Sequence, residues 1–233
     1  MYKHYTMNQT CLPIEIDCLL PQNHIVYHID KIVESISEEN IRLFEPEDGS
    51  PAYHPRVLLK EILYAYAEKV YSGRDIQKMM QVNLAMHWLS GHQDIFYRTI
   101  NRFRSSETCA FFLEDLFVQF TVKLKMERFI SLEHLYIDGT KIEANANKYS
   151  FVWKKAIDRY EKQLHLKATS YYNDAIKPEI RRQIEIDVES VFGQVKANLR
   201  FTRCHLRGKE QVKTDIGLVL MANNLRKYTK QRA

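Results

Sequence analysis

The sequence predicts a mainly α-helical protein with one small β-hairpin. Glycine and proline are scarce, with seven and six residues among 233, and long stretches of apolar residues at helical spacing lie between these few breakers. Hydrophobic residues make up 45% of the chain, which is enough for a buried core and is unlike a disordered composition. Only one short stretch, near residues 135–144, has the strand–turn–strand pattern of a hairpin.

The N-terminal half begins with an arm and a first pair of helices. Residues 1–28 are interrupted by prolines and predict an extended arm, and a first helix is expected over residues 30–37. A loop with three prolines follows at residues 45–55. Pro55 then begins a strongly apolar helix, which Ser72 and Gly73 end.

Three shorter helices follow, and the last contains several arginines. They are predicted over residues 75–82, 84–89 and 94–103, with Ser72 and Asp94 as N-caps. We expect Arg98, Arg102 and Arg104 to point outward. Short helices with tight turns and arginines are typical of a helix-turn-helix DNA-binding bundle. A plain helical bundle whose arginines form salt bridges has the same pattern, so both interpretations stay open.

A long helix over residues 107–126 leads to the predicted hairpin. Its strands are expected at residues 135–137 and 141–144, with Asp138 and Gly139 at the turn. A strand end can hold a catalytic acid at an open position, but Asp-Gly is also a common hairpin turn. Both roles remain possible for Asp138 from the pattern alone.

The C-terminal part is predicted to be helical around one irregular segment. Helices are expected over residues 151–172, 186–199 and 212–228, and residues 201–208 predict a strand or a loop. The last helix has an almost continuous apolar centre, GLVLMA, which should be buried.

Glu189 is a second candidate for chemistry. On the predicted helix 186–199 it shares a face with Glu185, Gly193 and Lys196. A strand-end Asp and a helical Glu form half of a two-metal phosphoryl-transfer site, in which carboxylates hold ions about 3.5–4 Å apart. The alternative is a solvated Glu–Lys face, which the same spacing fits equally.

Basic residues are concentrated near the C-terminus. Residues 196–232 contain ten Lys or Arg and two acids, whereas the whole chain has a net charge of +5. Such a block predicts a polyanionic partner or, alternatively, an ordinary solvated helix face. The chain has no long apolar run, no leader and no paired CxxC motif, so we expect a cytoplasmic protein with reduced cysteines and no membrane partner.

Two long blocks resemble an insertion-sequence transposase of the DDE type. They are YIDGTKIEANANKYSFVWKK at residues 136–155 and VESVFGQVKANLRFTRCHLRGKEQVKTDIGLVLMANNLRK at residues 188–227. HPRVLLKEILYAY and YRTINRFRSS, at residues 54–66 and 97–106, resemble the InsH-type N-terminal domain of such proteins. The resemblance begins after the predicted arm at 1–28, and it implies a helical InsH-type domain at 29–128 and a catalytic domain at 129–233.

The resemblance also implies a site. The catalytic core should be RNase H-like, with Asp138 as its first acid and Glu189 as its third, both holding Mg²⁺. Lys196 matches the family's DNA-contacting lysine, although the arginine that commonly lies four residues before the glutamate is replaced by Glu185. The other residues expected to bind DNA are Arg98, Arg102, Arg104, Arg203 and Arg207.

The second acid of the triad has no clear counterpart. Only fifty residues separate Asp138 from Glu189, and neither Asp174 nor Asp187 follows an apolar strand. We therefore expect an internal deletion that leaves an incomplete RNase H-like α/β remnant beside the helical bundle. The expected function is DNA transposition with impaired catalysis, with DNA as partner and a homo-oligomer allowed. Alternatives are a non-catalytic DNA-binding remnant or regulator, or a decayed copy that folds poorly.

Overall fold

The computed structural model describes residues 19–42, 53–91, 93–129 and 193–232, together with the single residues 142 and 191. Within these ranges the mainly helical fold class is confirmed, and no extended strand is present. The helices are α1 (Ile25–Glu34), α2 (Glu38–Arg42), α3 (Pro55–Ala67), α4 (Gly73–Val82), α5 (Leu84–Ser90), α6 (Tyr97–Arg104), α7 (Glu107–Met126), a π-helical turn (Gln194–Asn198) and α8 (Lys209–Arg232). The strands of the predicted hairpin, apart from residue 142, and the helix over 151–172 lie outside the described residues, as do Asp138 and Glu189. The RNase H-like remnant predicted within residues 129–233 is described only in part and stays a prediction.

The core is built around α3. Pro55 occupies the first turn of this helix, and the His54 side chain accepts a hydrogen bond from the Arg56 N–H at 3.3 Å, so the helix begins where the sequence predicts. Residues 58–67 are all buried, because α1, α4, α5, α6 and α8 surround the helix. Such enclosure buries polar side chains too, and Lys60 is stabilised there by Asp30 of α1 at 2.6 Å.

α8, the last helix of the chain, packs against α3. Its predicted apolar centre is confirmed as buried, with Leu218, Val219 and Ala222 fully enclosed. The helix is longer than predicted at both ends, because its first and last turns are polar and have no apolar period to mark them. A Cβ added at Gly217 would lie 2.6 Å from the Leu113 Cδ2 atom, so the glycine lets α7 and α8 approach closely.

The other helix boundaries show where local signals were sufficient. α7 has the predicted bounds, because Ser106 accepts a hydrogen bond from the Cys109 N–H at 3.2 Å and caps its first turn. The predicted start of α1 is wrong: the helix begins at Ile25, where the His24 side chain is the cap. Residues 25–28, expected in the extended arm, are therefore helical.

The predicted start of α6 is also wrong. Asp94 does not cap this helix, which begins at Tyr97 after an extended Phe96. The Tyr97 N–H donates instead to the Gln77 side chain of α4 at 3.0 Å. A partner twenty residues away in the chain cannot be seen in a local cap pattern.

No helix in the described part of the chain is long and apolar enough to span a membrane.

Candidate nucleic-acid interface

The packing of α4 against α6 creates an exposed surface with several arginines. A Cβ added at Gly73 would lie 2.3 Å from the Asn101 Oδ1 atom, so the two helices approach closely where α4 begins. This contact aligns the outer sides of α4 and α6, where Arg74, Arg98 and Arg102 are exposed. We call the set Arg74, Phe96, Tyr97, Arg98 and Arg102 the arginine–aromatic face.

Two guanidinium groups of this face lie close to one aromatic ring. Arg74 lies 5.2 Å from the centre of the Tyr97 ring, and Arg98 lies 6.0 Å from it. Arg98 also lies 6.0 Å from the Phe96 ring, which is 49% exposed. Hydrogen bonds with Arg98 and then Arg74 lower the pKa of the Tyr97 hydroxyl, since both cations favour the phenolate.

Arg98 and Arg102 are exposed as predicted, whereas the expectation for Arg104 is wrong. Arg104 is 3% exposed and donates to the Tyr71 carbonyl at 2.6 Å and to the Tyr66 hydroxyl at 3.0 Å. Its position one helical turn after the buried Ile100 places it on the inner side of α6. Arg104 is therefore part of the core, and its charge is not available at the surface.

Tyr66 joins Arg104 to a buried carboxylate. Its hydroxyl donates to Asp215 of α8, which is fully buried, and burial raises the pKa of Tyr66 well above its usual range. The same carboxylate accepts from the His205 N–H at 2.6 Å and from the Leu206 N–H at 3.2 Å. Asp215 thus anchors the segment 201–208, which is a loop and exposes Arg203 and Arg207.

Lys196 lies on the π-helical turn that precedes this loop. The turn is defined by the Leu199 N–H, which donates to the Gln194 carbonyl at 3.0 Å, and π-helical turns are frequent at functional sites. The turn ends at Asn198, one residue before the predicted helix end, and Lys196 is half-buried. The Tyr71 hydroxyl donates to the Leu199 carbonyl at 2.5 Å and ties the turn to the bundle.

Two family models match the chain. One, described as "Transposase domain (DUF772)", matches residues 14–106, and the other, described as "Transposase DDE domain", matches residues 146–229. The chain belongs to the DDE transposases of insertion sequences. No curated protein and no solved structure matches it.

The two matched segments of this transposase share one core. Tyr66 and Arg104 belong to the first segment, and Asp215 belongs to the second, so the buried hydrogen bonds through Tyr66 join them. Lys196, Arg203, Arg207 and Glu189 all lie within the second segment, whereas Asp138 lies before it.

The family implies that the transposase depends on a divalent metal. Among the residues that the structure describes, no group of three His, Cys, Asp or Glu could hold a metal ion. Asp138 and Glu189 lie outside those residues. Their side-chain chemistry fits a divalent metal, since Mg²⁺ prefers carboxylate oxygens.

Sequence reasoning missed two parts of the surface. Arg74 follows Ser72 and Gly73, a pair that predicts the end of one helix and the cap of the next but no binding surface. The aromatic pair before Arg98, in the sequence IFYR, was the available signal, because aromatic and cationic residues next to one another are typical of nucleic-acid surfaces.

Proposed function

We propose that this transposase binds DNA through the arginine–aromatic face and through the basic segment of residues 196–207. The observation that supports this most strongly is the pair of arginines beside Tyr97. Cations that are exposed and already oriented can contact phosphates with little ordering of long side chains. The half-exposed Phe96 ring adds a surface on which a base can stack.

The affinity for DNA and its dependence on salt test this proposal. Binding of a labelled DNA duplex to the double variant Arg74→Gln/Arg98→Gln should be at least ~10-fold weaker than to the wild type. The slope of log affinity against log salt should also decrease by about two, because two phosphate contacts are removed. The control is Arg42→Gln/Lys230→Gln, which removes two exposed charges elsewhere. Equal losses in the two double variants would contradict a role for the face.

We further propose that the ancestral reaction is strand cleavage and strand transfer at the ends of a DNA element. Water would hydrolyse a phosphodiester bond and leave a 3′-hydroxyl and a 5′-phosphate. The freed 3′-hydroxyl would then attack a phosphodiester of the target DNA and displace the target's own 3′-oxygen. Asp138 and Glu189 would hold Mg²⁺, which supplies Lewis-acid activation of the phosphate when it is bound. Catalysis should be impaired in this chain, because no residue between these acids has the context of the second acid of the triad.

A cleavage assay tests the catalytic part. DNA with the element's ends should show little or no cutting in the presence of Mg²⁺ or Mn²⁺. Cutting that disappears on Asp138→Asn would refute the proposed impairment and would identify Asp138 as a functional acid.

The alternative function is that of a non-catalytic DNA-binding regulator of an intact relative. The exposure of Arg74, Arg98 and Arg102 favours it as the second candidate, because these arginines are present whether or not the chain has a second acid. This alternative predicts salt-dependent DNA binding without cleavage, together with inhibition of an active transposase that recognises the same ends. A decayed copy that folds poorly would instead show no cooperative unfolding transition.

A further inference from the structure

An open cleft of about 370 Å³ lies where α4, α6 and the loop before α8 meet. Its lining includes Ser72, Gly73, Asn101, Arg104, His205 and Arg207. The first four residues belong to the first matched transposase segment, and the last two belong to the second. Whatever binds in this cleft therefore contacts both segments at once.

The cleft is bordered by one exposed arginine and by hydrogen-bonding groups. Arg207 is exposed at its edge, whereas Arg104 is 3% exposed and forms part of the wall. Two nitrogens of the Arg104 guanidinium donate to protein oxygens, but its buried Nε has no hydrogen-bond partner. The His205 ring packs beside Tyr71 with the ring centres 5.2 Å apart.

The beginning of α4 adds backbone donors to the same cleft. Ser72 occupies the N-cap position of this ten-residue helix, but its side chain makes no capping hydrogen bond. The first N–H groups of a helix have no partner within the helix and favour anions. The close fit of Gly73 against Asn101 brings this helix end next to Arg104, which donates to Asn101 Oδ1 at 2.5 Å.

The nearby acids do not neutralise the cleft. Asp215 directs its oxygens to the Tyr66 hydroxyl and to the N–H groups of His205 and Leu206. Asp75, in the first turn of α4, is 59% exposed and lies 3.7 Å from Lys78. Neither carboxylate is among the residues that line the cleft.

We propose that this cleft binds one backbone phosphate of DNA, with Arg207, Ser72 and the N–H groups at the start of α4 as its ligands. The choice of DNA as the ligand rests on the proposed function. The inference goes further because it assigns a specific site to Arg207, which charge alone could not distinguish from the neighbouring basic residues. A phosphate bound in this cleft would also contact residues of both matched segments.

Two substitutions test the cleft, each with a matched control. Arg207→Gln should weaken binding of a labelled DNA duplex by about 10-fold and reduce the salt slope by about one. The control Lys209→Gln removes an exposed charge two residues away, outside the lining, and should change affinity by less than ~3-fold. Equal losses from the two variants would overturn the proposal.

Ser72→Asp separates binding from folding. Aspartate is a good N-cap, so the variant should unfold at or above the wild-type temperature, while its carboxylate repels a phosphate in the cleft. DNA binding should fall by at least ~10-fold. The control Ser37→Asp makes the same change where Ser37 accepts from the Asn40 N–H at 3.2 Å. Equal effects of the two aspartates on DNA binding would overturn the proposal.

Inorganic phosphate distinguishes failure of the cleft from failure of the proposed function. Phosphate should raise the melting temperature of the wild type, but not of Ser72→Asp. If the wild type does not bind DNA and phosphate still produces this difference, the cleft is a phosphate site and DNA is the wrong source. If DNA binds but neither cleft variant weakens it more than its control, the cleft assignment fails and the proposed function stands.

Discussion

The stability of this transposase should depend on pH through one buried glutamic acid. Glu61 lies on the central helix α3, is fully buried, and has no hydrogen-bond partner for either carboxylate oxygen. Burial raises the pKa of Glu61 from 4.5 to about 9, because a charge cannot be solvated there. The folded protein therefore keeps this proton at neutral pH, whereas the unfolded chain releases it.

The sign and size of the effect follow from this difference. Between pH 4.5 and about 9 the folded state binds more protons than the unfolded state, so the free energy of unfolding falls as the pH rises. At about 1.4 kcal/mol per pKa unit, the loss is about 3 kcal/mol at pH 7 and about 6 kcal/mol near pH 9. These values are a large fraction of the stability of a typical domain.

Glu61→Gln removes the ionisation and keeps the side-chain volume. The variant should match the wild type within ~1 kcal/mol at pH 5, where the acid is protonated in the folded state and about one quarter protonated in the unfolded one. It should be more stable by about 3 kcal/mol at pH 7 and by more at pH 8.5. Urea unfolding followed by circular dichroism at the three pH values measures these differences.

A matched control excludes general effects of charge. Glu39→Gln neutralises an exposed glutamate of α2, and its curve should run parallel to that of the wild type across the pH range. If the advantage of Glu61→Gln does not change with pH, the folded protein does not retain the Glu61 proton and the reasoning is refuted.

Three further substitutions test the packing and the buried hydrogen bonds. Tyr66→Phe leaves Asp215 and Arg104 without their shared hydroxyl and should lower the free energy of unfolding by about 2–3 kcal/mol. The control Tyr53→Phe removes an exposed hydroxyl and should lower it by less than ~1 kcal/mol. Equal losses in the two variants would argue against the buried hydrogen bonds of Tyr66. Gly217→Ala should destabilise by about 1–3 kcal/mol through contact with Leu113. The added methyl of Gly193→Ala meets no other described group within 4 Å, so this variant should be neutral or stabilising by up to ~1 kcal/mol. Urea unfolding compares the two glycine variants. Stabilisation by both would show that α7 and α8 can separate without loss of stability.

Much of the helical architecture could be predicted because its signals are local. α7 has a serine cap at one end and an apolar period along its length, so its bounds follow from neighbouring residues. Pro55 marks the start of α3 for the same reason. Where the cap came from a histidine or from another helix, as at α1 and α6, the predicted boundaries were wrong.

The candidate site shows the same division. The sequence identified Arg98, Arg102, Arg203 and Arg207 as candidates for DNA binding, and each is exposed. It could not show that Arg74 and Arg98 both lie within 6.0 Å of the centre of the Tyr97 ring, because that arrangement depends on how α4 packs on α6. Asp138 and Glu189 remain predictions, supported by the family of the chain.

Within the described residues, the sequence by itself determined the place of most helices, which helix faces are apolar, and which family the motif blocks resemble. Periodicity, caps and motif spacing are properties of a few adjacent residues, so they need no tertiary contact. Only the tertiary structure decided that the Arg104 side chain is buried, because its partners Tyr66 and Tyr71 are 38 and 33 residues away in the chain. The burial of a charge depends on whether distant groups can replace its water, and that is settled only when the chain is packed.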